Sequence, residues 1–164
     1  MSGTQPGPVM AESPTNEASI PNPALEPLTP LVGEWKTVGT HPMVPGKTFH
    51  GQTSFAWIEG GAFLVMRSQI EEPEIPSGIS VFGSDDDSDT FFMIYFDERG
   101  VSRKYDVTLR DGTWKWWRNT AHFSQRFTGR IVDNGRTILG GGELSRDGGH
   151  TWEGDLQLTY TRIG

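Results

Sequence analysis

The chain has 164 residues, a net charge of −7, a pI near 5.0 and no cysteine. That length implies one domain plus a tail, able to hide roughly 68–70% of its unfolded surface. The acidity argues against a nucleic-acid partner and an anionic membrane surface, and the missing cysteines exclude disulfides, thiolate metal sites and Cys nucleophiles, as suits a reducing cytoplasm.

Residues 1–24 are rich in Pro, Ser, Gly and Asn and have almost nothing to bury, so they read as a disordered tail. They show no basic start followed by an apolar stretch, so no secretory signal is expected. A short helical turn around 24–28 leads into one barrel mouth. From Leu31 onward apolar residues alternate or cluster in short runs bounded by Gly, Pro, Asp or Asn. The strands predicted are 34–41, 48–58, 61–70, 78–83, 90–97, 101–109, 113–118, 122–132, 136–145 and 151–162. Ten short strands joined by tight turns give an all-β fold over 25–164. We expect one closed antiparallel up-and-down barrel of the calycin or lipocalin type, because closure removes both sheet edges. No apolar run approaches the 18 or so residues of a membrane-spanning helix.

Turn chemistry supports the strand boundaries. Glu59-Gly60-Gly61, Arg110-Asp111-Gly112 and Asp133-Asn134-Gly135 all read as tight hairpins. Residues 84–89 form an acidic loop lacking the Gly and distal Glu of a calcium loop, and a solvated turn is expected. Ser145-Arg146-Asp147-Gly148-Gly149-His150-Thr151-Trp152 matches the Asp-box pattern, a single copy read as a structural hairpin.

Gly33-Glu34-Trp35 opens the first strand and Arg162 closes the last. A barrel can seal one end this way, with the guanidinium over the Trp ring in a cation–π contact worth about 1 kcal/mol. The four histidines form no pair at metal spacing, no Ser sits in a nucleophile elbow, and no Gly loop precedes a helix, so no metal and no cofactor are expected.

The inward faces carry the remaining signal. Arg103, Tyr105, Val107 and Leu109 share the apolar face of 101–109; Phe123, Gln125, Phe127 and Ile131 share that of 122–132; Trp114 and Trp116 oppose Lys115 and Trp117. The inward set of 61–70 is ambiguous. An inward Arg needs a partner, either an internal ion pair to Asp97 or Glu59 or a ligand's anionic or carbonyl group.

Five blocks carry a resemblance: 28–35, 57–64, 95–103, 123–129 and 158–162, among them Arg99-Gly100-Val101-Ser102-Arg103 and Phe123-Ser124-Gln125-Arg126-Phe127. They resemble an uncharacterised bacterial family with a domain of the DUF1579 type, which implies a barrel over about 27–164. More distantly, Gly33-x-Trp35 and His41-Pro42 are similar to nitrobindin, a calycin-like haem barrel that ligates haem through a His on its last strands. The last strand here has no His; His150 lies in the preceding turn.

These readings lead to a small lipophilic or aromatic molecule bound in the barrel cavity. Phe55, Trp57, Tyr95, Trp116, Phe123 and Phe127 are the expected aromatic lining, with Arg103, Tyr105 and Gln125 as polar anchors. A cyclase or isomerase of secondary metabolism using the same cavity is the enzymatic alternative, and a haem-binding nitrobindin-like protein the second. Binding without catalysis is preferred. A homodimer is left open.

Overall fold

The computed structural model describes residues 20–88 and 90–164. Ten strands form one closed antiparallel barrel: β1 (Gly33–Thr40), β2 (Thr48–Ile58), β3 (Phe63–Ile70), β4 (Gly78–Ser84), β5 (Phe91–Asp97), β6 (Ser102–Arg110), β7 (Thr113–Arg118), β8 (Ser124–Val132), β9 (Thr137–Ser145) and β10 (Glu153–Arg162). Each strand pairs with its sequence neighbours, and β1 closes the barrel on β10 with Trp35 directly opposite Arg162. The meander expected from the turn spacing is the observed topology. Among the described residues no helix is long and apolar enough to cross a membrane.

A 3₁₀ helix, Pro23–Leu31, covers the end where β1 starts. With three residues per turn, Leu25, Leu28 and Leu31 fall on one face, and all three are fully buried. Pro27 and Pro30 lack the N–H that an α-helix would need there, and the Asn22 side chain accepts from the Ala24 N–H at 3.0 Å. The tail expected to lack regular structure over 1–24 therefore stops short of Pro23; its residues 1–19 lie outside the described residues.

The two ends of the barrel differ. At the helix end the connections are short, apart from the acidic loop between β4 and β5. Asp111-Gly112 makes a two-residue hairpin with both φ positive, at 51° and 72°. Glu59–Gly61 and Asp133–Gly135 are single 3₁₀ turns inside longer connections rather than two-residue hairpins. At the other end lie the loops 41–47, 71–77, 98–101, 119–123 and 146–152. The last is the Asp-box: Asp147 accepts from the Thr151 N–H at 2.8 Å and the Thr151 hydroxyl at 2.6 Å, so the motif staples its own turn. In the acidic loop Asp85 caps the Asp87 N–H at 2.9 Å, the geometry of an ordinary polar turn.

Aromatic packing fills the helix end. Trp114 meets Phe55 edge-on at 5.8 Å and Phe127 at 5.4 Å, and Phe55 lies 6.3 Å from Phe82. Phe127 fits only because β9 supplies glycine: a Cβ on Gly140 would stand 2.3 Å from its ring. Gly140→Ala should therefore cost about 1–3 kcal/mol by overpacking. An unchanged urea midpoint would show that the ring has somewhere else to go.

Candidate functional site

Between the aromatic floor and the long loops lies a cavity of about 530 Å³, lined by residues of all ten strands. The inward faces of β6, β7 and β8 are those expected, and β3 resolves to Leu64, Met66, Ser68 and Ile70 inward. Six of the nine proposed ligand residues meet in this cavity: Tyr95, Arg103, Tyr105, Trp116, Phe123 and Gln125. Three do not. Phe55 and Phe127 lie below it in the aromatic floor, and Trp57 is half-buried against the core at the end of β2. Alternation places a side chain on the inner face of a strand but leaves its depth along the barrel open. These three are packing residues, with Phe127 stacked on Trp116 at 4.9 Å as the platform beneath the cavity.

A polar chain crosses the cavity wall. The Met43 N–H donates to His41 Nδ1 at 3.0 Å, so Nε2 carries the ring proton and donates to Asp155 Oδ1 at 2.9 Å. Gln125 Nε2 donates to Asp155 Oδ2 at 2.9 Å, and the Tyr105 hydroxyl donates to Gln125 Oε1. The carboxylate sets the direction of the whole chain. Asp155 only accepts, so the Gln125 amide must turn its NH₂ toward it and its oxygen toward Tyr105. Tyr105 must then donate and shows the cavity only lone pairs. Burial by itself would raise the Asp155 pKa; the hydrogen bonds from His41 and Gln125 outweigh it and hold the group below the usual carboxylate range. Burial pushes the Tyr105 phenol up, and the nearby Arg103 guanidinium offsets part of that.

A second pair closes the mouth. Asp97, its side chain fully buried, accepts from Arg99 at 2.7 Å and from the Tyr95 hydroxyl at 2.6 Å. Burial disfavours the charge, yet Arg99 and Tyr95 hold the Asp97 pKa well below normal. The expected ion pair of Arg103 with Asp97 or Glu59 is thus not formed: Asp97 is taken by Arg99, and Glu59 is exposed in the β2–β3 connection at the other end. Arg103 instead lies 4.4 Å over the Phe123 ring. Among the described residues no carboxylate lies within ion-pair distance of Arg103, whereas the other charged groups lining the cavity have partners: Arg99 has Asp97, Arg146 has Glu153, and Asp155 accepts from His41.

His41 and Asp155 are the residues that sequence reasoning missed. Asp155 carried one usable signal, a carboxylate inside a strand, where Asp is depleted. His41 stood out only in the His41-Pro42 likeness, which pointed to no partner, since Asp155 is 114 positions away. On the opposite wall a hydroxyl ladder joins Thr37 to Thr53 at 2.7 Å and Thr53 to Ser68 at 3.0 Å, which makes the cavity more polar than the aromatic box expected.

The residues present do not fit a haem. Of the four histidines only His41 lines the cavity, and both of its ring nitrogens are engaged by the protein; His50, His122 and His150 are exposed.

No family model matches the chain, and no curated protein matches it. Among solved structures it is similar to the crystal structure of Rv2717c from M. tuberculosis, with a TM-score of 0.62 and 15% identity over 87% of this chain and 98% of that one. At that identity the likeness shows the fold.

Proposed function

We propose that this chain is a cytoplasmic small-molecule-binding barrel, kin to the DUF1579-type proteins that its residue blocks resemble. Its ligand is a lipophilic or aromatic molecule carrying a carboxylate or carbonyl oxygen. The observation that carries this reading is Arg103, which lines a cavity in an acidic protein with no counter-charge within reach among the described residues. The Phe123 ring offsets part of that cost, and the planar fork of donors remains available for an oxygen pair. Met66, Met93, Leu158 and Trp116 supply the apolar surface for the ligand's body.

The cyclase or isomerase alternative needs a free acid or base at the cavity surface. His41 does not supply one, the Tyr95 and Tyr105 hydroxyls are already donated to Asp97 and Gln125, and burial pushes the pKa of the remaining cavity phenol, Tyr160, up and makes it a poor acid. Binding is therefore the stronger reading.

The fluorescent lipophilic anion 1-anilinonaphthalene-8-sulfonate tests it. The native protein should bind this probe at one saturable site. Arg103→Gln should weaken binding about tenfold, the equivalent of one charge-assisted hydrogen bond. No saturable binding, or equal affinity in the two proteins, would overturn the reading.

A further inference from the structure

Tyr160, on β10, is 2% exposed and lines the cavity, and among the described residues its hydroxyl has no hydrogen-bond partner. The oxygen is not sealed in the packing: it opens on the cavity, where a bound molecule can reach it. The ring lies 6.3 Å from Trp114, in the aromatic floor, and burial alone shifts the phenol's pKa, upward. Ser80, 4% exposed, is a second buried hydroxyl on the cavity wall.

Tyr160 and Arg103 stand at opposite ends of the cavity. Arg103 is one residue into β6 from the loop end and touches Phe123 in the 119–123 loop. Tyr160 is two residues from the end of β10, where Arg162 meets Trp35 under the helix. Met66, Met93, Leu158 and Trp116 give the lining its apolar surface, beside the Thr37, Ser68 and Ser80 hydroxyls. The Tyr160 hydroxyl can both donate and accept, unlike that of Tyr105, whose proton is committed to Gln125.

We propose that the cavity has two polar subsites and takes a molecule polar at both ends: a carboxylate at Arg103, an apolar body, and a hydroxyl or keto oxygen at Tyr160. This rests on the binding reading above and adds the far subsite and the ligand class, an ω-oxygenated carboxylate.

Displacement of 1-anilinonaphthalene-8-sulfonate by decanoate, 10-hydroxydecanoate and decan-1-ol separates the two claims. In the native protein 10-hydroxydecanoate should displace the dye at about one-tenth the concentration of decanoate, one hydrogen bond's worth, although the added hydroxyl makes it the less lipophilic of the two. Tyr160→Phe should abolish or reverse that preference and leave decanoate unchanged. Its urea midpoint should equal or exceed the native one, because the hydroxyl it removes bonds to nothing among the described residues. If decanoate displaces the dye as well as or better than 10-hydroxydecanoate, or the preference survives in Tyr160→Phe, the far subsite is wrong and the binding reading stands. A lowered midpoint in Tyr160→Phe would likewise overturn it, by showing that the hydroxyl has a structural partner. If the dye itself does not bind, or none of the three compounds displaces it, the binding reading fails with it.

Discussion

Trp35→Ala is expected to destabilise the barrel by about 3–5 kcal/mol, the cost of deleting a large aromatic ring from a packed core. The magnitude follows from what converges on this residue. It is fully buried, its indole N–H donates to the Leu31 carbonyl at 2.8 Å, and it pairs with Arg162 across the strands that close the barrel. The guanidinium lies 4.1 Å over the ring and donates to the carbonyls of Val32 at 2.6 Å, Pro30 at 2.9 Å and Gly135 at 3.2 Å. One side chain thus ties the helix, the β8–β9 turn and the closing strand to the floor. Gly33 completes the arrangement. Its φ of 135° is open to glycine, and a Cβ there would stand 2.4 Å from the Arg162 guanidinium. Arg162→Ala should cost about 1–3 kcal/mol, through the cation–π contact and three lost carbonyl bonds. Urea denaturation of the two variants checks both values, and a midpoint unchanged in Arg162→Ala would show that the pair does not hold the end closed.

Asp155→Asn carries the second large effect, about 2–3 kcal/mol at pH 7. The His41 and Gln125 donors converge on the carboxylate, and an amide can accept from only one of them while its NH₂ faces the other. The pH dependence identifies the cause. The folded-state pKa of Asp155 is depressed, so between that pKa and about 3.9 the unfolded chain binds the proton that the folded one does not. The stabilisation is complete above about pH 4 and is lost as pH falls through the folded pKa. The gap between native and Asp155→Asn midpoints should therefore be widest at neutral pH and narrow below about pH 4. Equal gaps at pH 7 and pH 3 would assign the loss to packing rather than to the ionised carboxylate.

Much of this architecture was legible in the chain itself. The strand limits differ from those expected by a residue or two, because alternation and turn residues act locally: Asp111-Gly112 forms its hairpin wherever the strands go. Closure was legible too, since a glycine, a tryptophan and an arginine at the two ends of the barrel sequence have one shared use. The inward sets of β6 and β8 followed from the two-residue period. Depth did not. Phe55 and Phe127 point inward as expected, yet they pack as floor, because strand tilt and closure decide how far along the axis an inward residue sits. Nor did the pairing of charges. Arg103 had Asp97 as an expected partner, and Arg99, two residues from Asp97, took it instead. His41 and Asp155 meet only because β1 and β10 are brought side by side by closing the sheet. The period of a strand names the residues that face the cavity; the shear of the closed barrel decides which of them touch, and so which are left free for a ligand.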